Sequence, residues 1–230
     1  MTIFPFVREP FTIIDGGLST ALELLSADIS GPLWTAQTVI DDPALLERAH
    51  RSFVEAGANI IATASYQCGT KQFESIGLSA KEARDALAST TTIARRAVEG
   101  TSVAVAASVG PFGASLANGS EYNGRYGVEW RVVEDYHREK LAILVDSGAD
   151  LIAIETIPLA DEALLIAEIL EELGAPPAWF SFGFTDESQT YGLDSVDKAV
   201  LSIAGYADLV AIGLNCTHPR YVDSLLVSMS

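Results

Sequence analysis

Short apolar runs alternate with longer helical stretches along the 230-residue chain. The runs fall at 12–15, 59–65, 103–109, 150–155, 178–184 and 209–215. Most are continuous stretches of Ile, Val, Ala and Phe rather than strict polar–apolar alternations. Strands buried on both faces read this way, as parallel sheets require. Between the runs the apolar spacing becomes helical. Asp42 followed by Pro43 supplies an N-cap and first-turn pair, Leu46, Ala49, Phe53 and Val54 continue at helical intervals, and Gly57 stops the segment. Residues 129–147 place Trp130, Val133, Tyr136, His137, Leu141 and Leu144 on one side, with Gly148 as the C-cap. Asp161 precedes a run through Leu165, Ile166, Ile169, Leu170 and Leu173 that Gly174 ends.

One pattern recurs where a helix end passes into a strand. Ala58-Asn59-Ile60-Ile61-Ala62, Ala149-Asp150-Leu151-Ile152-Ala153 and Ala207-Asp208-Leu209-Val210-Ala211 share it. These are strands two, four and six in order, which points to a repeating βα unit and a closed (β/α)8 TIM barrel. About six βα units are readable, and the sequence stops at Ser230 within the sixth helical segment. A complete barrel has eight. Either this is an open six-stranded sheet or the last two units are missing; the expectation is one domain over 1–230, read as a β/α barrel incomplete at its C-terminal side.

Composition narrows the function classes. Apolar residues make up 49% and charged residues 20%, which excludes a disordered chain. The formal charge of −17 argues against nucleic acid or an anionic membrane surface as a partner, since both need a cationic face. No apolar run is long enough to span a bilayer. The first ten residues lack the basic flank and apolar stretch of a secretion signal. Two cysteines, Cys68 and Cys216, make no disulfide framework, and a reducing cytoplasm fits.

In parallel α/β proteins functional groups gather at the carboxyl ends of strands. Asp15-Gly16-Gly17, the stretch from Thr63 to Cys68, the Gly110-Pro111-Phe112-Gly113 turn, Glu155-Thr156 and Asn215-Cys216-Thr217-His218 lie there. There is no phosphate-binding glycine loop and no Ser-His-Asp pattern. Asp15-Gly16-Gly17 reads either as a capped tight turn or as a turn whose bare amides take a carboxylate. Glu155 reads as half of a structural ion pair or as the partner of a substrate ammonium. Cys216 reads as a small core residue or as a ligand, and Cys68 as structural. The segment 110–127 reads as the longest irregular stretch, with turn signals at Asn118-Gly119 and Asn123-Gly124. Its Tyr122 and Tyr126 either cover the rim or present aromatic faces to a cation.

Together these segments resemble the homocysteine S-methyltransferases, in the branch that uses S-methylmethionine or S-adenosylmethionine. The resemblance rests on DGGLSTALE (15–23), AGANIIATASYQ (56–67), SVGPFGASLANGSEYNGRYG (108–127), ADLIAIETIP (149–158), FSFGFTDE (180–187) and AIGLNCTHP (211–219). They occur in the family's order and cover essentially the whole chain. The resemblance implies a β/α barrel with zinc at its carboxyl-end face, held by three cysteines. One is in the GxNC motif, here Cys216. The other two belong to a GGCC motif that would follow Ser230, so this chain is expected to be the retained part of a longer protein.

The implied reaction belongs to methionine biosynthesis. Zinc would hold homocysteine as a thiolate, which attacks the sulfonium methyl in line. The leaving group is a neutral thioether, so no general acid is needed. Glu155 would take the homocysteine ammonium, and Asp15, Gly16 and Gly17 would contact the amino-acid ends of the substrates. Tyr66 and Gln67 would wall the pocket, Asn215 would orient the Cys216 turn, and Tyr122 and Tyr126 would face the donor. Two other readings stand beside this one. The chain could be a metal-free relative or fragment that only binds amino acids or a partner protein. It could also be a barrel lyase or aldolase, which needs a Schiff-base Lys or a carboxylate cluster at strand ends, and no strand interval holds a Lys.

Overall fold

The computed structural model of the chain describes residues 10–229. The expected lack of a secretion signal concerns residues 1–9 and so lies outside the described residues, as does Ser230. The chain divides into two compact units. One takes the chain up to Ser108 together with Ile143–Leu151, and the other takes Val109–Ala142 and Ile152 onward.

The first unit contains α1 (Leu18–Leu24), α2 (Gln37–Asp41), α3 (Pro43–Glu55), β1 (Ile60–Ala62), α4 (Thr70–Ser75), α5 (Ala80–Ala97) and β2 (Ala104–Val109, whose last residue is counted with the second unit). β1 and β2 pair in parallel, with Ile60 beside Ala104 and Ala62 beside Ala106. Every residue of β2 is buried, as its unbroken apolar run requires. α3 starts where Asp42 and Pro43 predict, and the Asp42 carboxylate accepts the Leu45 amide at 2.9 Å. α5 opens with a reciprocal cap between Ser79 and Glu82. Leu22, Leu46, Ala49 and Ile93 join α1, α3 and α5 in one core, and each large side chain so buried contributes roughly 1.5–3 kcal/mol. The recurring Asn or Asp before a strand has a structural use here. Asn59 accepts the Ile13 amide, and Asp150 accepts the Val105 amide and an Arg95 guanidinium nitrogen.

The second unit contains α6 (Phe112–Ser115), α7 (Trp130–Val145), β3 (Leu151–Ile157), α8 (Ala160–Leu173), β4 (Ala178–Phe182), α9 (Val196–Ile203), β5 (Leu209–Leu214) and α10 (Val222–Met229). The last residues of α7 and the first of β3 are counted with the first unit. β3, β4 and β5 pair in parallel and in chain order. The β3–β4 register shifts between Ile154 and Ile157, so β3 carries a bulge at Glu155 and Thr156. Gly174 ends α8 in the left-handed conformation, φ 59°, as predicted.

The α/β class and the parallel order agree with the sequence reading, and four details do not. Residues 12–15 form no strand, and only Ile14 makes a bridge, to Ile60. Ile13 and Ile14 are 56% and 49% exposed, so burial on both faces, the premise of that assignment, fails. Five strands form among the described residues rather than six, and they do not close into an eight-stranded barrel. The segment 110–127 is not irregular throughout. It folds as α6 and a 3-10 turn at Ser120–Tyr122, with Gly119 and Gly124 left-handed at the two predicted turns. Trp130 is also exposed rather than part of the buried face that Val133, His137, Leu141 and Leu144 form. No helix among the described residues is long and apolar enough to cross a membrane.

Candidate functional site

In the first unit Asp15 is held against β1. Its amide donates to Ile60 at 2.9 Å, and its carboxylate accepts the Ala62 amide at 2.9 Å. Gly16 and Gly17 follow on exposed backbone. A side chain at Gly16 would meet the Phe53 ring at 3.2 Å, so the absence of a Cβ lets the turn lie on α3. Tyr66 stands edge-on to Trp34, with centroids 6.4 Å apart, and Gln67 donates to the Pro32 carbonyl at 3.1 Å. The same stretch also enters a buried hydroxyl relay. The Ser108 amide donates to Thr63, whose hydroxyl meets Ser65, which donates to the Ser108 carbonyl at 2.7 Å. Cys68 is fully buried, with its thiol toward the Leu33 carbonyl, as a structural residue would be.

The second unit gathers more chemistry at one corner. Glu155 is the one residue of β3 that is not buried, because the bulge turns it out of the apolar layer. Thr156 follows at φ 61° and Cys216 sits at φ 49°, both left-handed. Such conformations cost non-glycine residues on the order of 1–3 kcal/mol each and persist only where neighbours impose them.

Asn215 holds the Thr156 turn. Its Oδ1 accepts the Thr156 amide at 2.9 Å and the Ser181 hydroxyl at 3.0 Å, and its Nδ2 donates to the Thr156 hydroxyl at 2.7 Å. An amide nitrogen can only donate, so the Thr156 contact fixes which end of the Asn215 side chain is oxygen. The Thr156 hydroxyl in turn donates toward the Cys216 sulfur at 3.7 Å, and Asn215 Nδ2 faces the same sulfur at 3.8 Å. The exposed thiol is thus aimed by two donors, an arrangement suited to a sulfur that acts as ligand or acceptor.

Two tyrosines border this thiol. Tyr191 donates its hydroxyl to the Cys216 carbonyl, and its ring stands at 85° to that of Tyr122 with centroids 5.3 Å apart. Burial, and after it the Cys216 sulfur, pushes both phenols above their usual pKa. Tyr122 thus lies with Cys216, whereas Tyr126 is occupied elsewhere. The Tyr126 hydroxyl donates to Glu162, and its ring packs edge-on against Phe112. Glu162 is fully buried and also accepts the Phe112 amide at 2.7 Å and meets His137 Nε2 at 2.8 Å.

Sequence reasoning missed Tyr191, Glu162 and the role of His137. Tyr191 lies in an aperiodic stretch between β4 and α9 that gives no signal. Glu162 reads as an ordinary acidic first-turn residue, although a His on an apolar helix face already called for a buried partner.

Among the described residues no three His, Cys, Asp or Glu side chains gather as a metal site. Cys216 is a single thiol, fewer ligands than a tight zinc site uses, so these residues do not by themselves hold the metal implied by the resemblance.

The sequence model described as Homocysteine S-methyltransferase matches residues 12–230. Homocysteine S-methyltransferase 3 of Arabidopsis thaliana is 41% identical over 242 residues, covering 95% of this chain and 70% of the relative. Selenocysteine Se-methyltransferase of Brassica oleracea var. italica is 37% identical over 239 residues, covering 96% and 69%. The metallated form of the homocysteine methyltransferase MmuM from Escherichia coli superposes with a TM-score of 0.88 at 33% identity, over 95% of this chain and 79% of that one. A match of that extent, with the DGG, ETIP and GLNC segments in place, assigns this chain to the homocysteine S-methyltransferase family of enzymes.

Proposed function

We propose that this protein transfers a methyl group from a sulfonium donor, S-methylmethionine or S-adenosylmethionine, to the thiol of homocysteine, giving methionine. The homocysteine sulfur forms a bond to the methyl carbon as the carbon–sulfonium bond breaks. The bonding pair returns to the donor sulfur, which leaves as a neutral thioether, and the thiol proton passes to solvent. Family membership supports the reaction class. The observation that carries the reading within the chain is the strained Cys216 corner, where Asn215 and Thr156 aim an exposed thiol.

In this reading Glu155 takes the homocysteine ammonium, and Asp15 with Gly16 and Gly17 contacts the amino-acid ends. Tyr66 and Gln67 wall the acceptor, Asn215 sets the Cys216 turn, and Tyr122 faces the donor with Tyr126 behind it. Zinc is part of the proposal, with Cys216 as one ligand, and the metallated MmuM neighbour supports it. The (β/α)8 barrel type, of which these five strands form an unclosed part, belongs to it too, supported by strands ordered along the chain and the likeness to MmuM. So are a single homocysteine-binding domain over the chain and a cytoplasmic setting, the latter supported by two free cysteines.

The test is methionine formation from homocysteine with each donor in turn, by wild type and by Cys216→Ala. The expected result is activity with at least one donor in the wild type and loss of that activity in a folded variant. Undiminished turnover by Cys216→Ala would remove that residue from the site.

A further inference from the structure

We infer that Tyr191, paired with Tyr122 beside Cys216, is a specificity residue that recognises the positive charge of a sulfonium ligand. The inference rests on the methyl-transfer reading and extends it to a residue in the stretch between β4 and α9.

A sulfonium has no proton to donate, so ordinary hydrogen bonds cannot select it. Its charge is spread over the attached carbons, and aromatic faces and carboxylates are the groups that attract it. Both are present at this corner. The two rings stand at 85° with centroids 5.3 Å apart, and Tyr122 remains 48% exposed. Glu121, next in the chain, has one buried carboxylate oxygen, Oε2, with no hydrogen-bond partner.

Tyr191 is built in rather than loosely placed. Its amide donates to the Gly183 carbonyl at 2.9 Å, and its hydroxyl holds the Cys216 carbonyl. A Cβ at Gly183 would lie 2.5 Å from the Tyr191 ring, so glycine there gives the ring its seat. The alternative aromatic, Tyr126, has its hydroxyl committed to Glu162 and its ring to Phe112.

The experiment is calorimetric binding of S-methylmethionine and of methionine, its neutral counterpart, to wild type, Tyr191→Leu and Tyr191→Phe. Preference for the sulfonium is the readout, because a purely structural role would weaken both ligands alike. The wild type is expected to prefer S-methylmethionine. Tyr191→Leu is expected to lose about fivefold or more of that preference, the scale of one cation–π contact. Tyr191→Phe is expected to stay within about twofold, since it keeps the ring.

If Tyr191→Leu does not fold, Tyr122→Leu at the half-exposed partner takes its place with the same expectation. An unchanged preference in the Leu variant, an equal loss in Tyr191→Phe, or no preference in the wild type would each overturn the inference. A methyl-transfer assay on the same wild-type preparation keeps the two ideas separable. Turnover with an unchanged preference in the Leu variant defeats the Tyr191 role alone. Sulfonium preference without turnover defeats the reaction and leaves the recognition standing.

Discussion

Glu162 shows how a single buried side chain can organise a segment that carries function. Its carboxyl group takes the Phe112 amide, the Tyr126 hydroxyl and His137 Nε2, all inside the second unit. With Nε2 as the donor, His137 Nδ1 is left buried without a partner, a cost the Glu162 contacts offset. The network pins the start of α6 at Phe112 and the chain at Tyr126, on either side of the Ser120–Tyr122 turn. Removing one donor leaves the acceptor buried and bare. Tyr126→Phe is therefore expected to destabilise the fold by about 1–2 kcal/mol, read as a lower urea midpoint with an unchanged slope. A midpoint equal to wild type would mean that the hydroxyl contact contributes nothing.

At the scale of elements, strands and caps were legible and bends were not. Continuous apolar runs marked β2, β3 and β4 to within a few residues, because burial on both faces leaves that mark, and the same kind of run marked β5 although none of its residues is fully buried. Asp42-Pro43 and Gly174 marked helix ends through their own backbone preferences. Glu155, Asn215 and Cys216 were legible as polar residues where apolar runs stop. The left-handed turn at Thr156 was not legible, since Asn215, 59 positions further along the chain, holds it; the one at Cys216 goes with a contact from Tyr191, which is equally distant from any local pattern. Tyr191 escaped for the same reason. The 12–15 run failed because its apolar residues face outward, which no local pattern reports.

α3 adds a pH dependence. His50 lies fully buried on it, both ring nitrogens lack partners, and burial lowers its pKa from 6.5 to about 4. The unfolded chain takes up a proton near pH 6.5, while the native chain does not until about pH 4. Stability is therefore full above 6.5 and falls as the pH drops through that window, by on the order of 3 kcal/mol from this residue. In His50→Leu, denaturation measured across the window is expected to show a correspondingly smaller decline. A decline equal to wild type would contradict the assignment.

For the whole molecule, the family could be read from ordered segments spread along the sequence, and the match over residues 12–230 agrees. Closure could not be read, because the pairing of distant edges leaves no periodic trace in either strand. The metal site is a similar case. Its one thiol among the described residues is well placed, yet one thiolate is too few to hold zinc.

The most direct measurement supplies homocysteine with a donor whose sulfonium methyl is deuterated and follows the label by mass spectrometry. The account predicts methionine carrying the intact labelled methyl, together with an equal amount of demethylated donor. Labelled methionine no faster than in enzyme-free controls, with either donor, would contradict it.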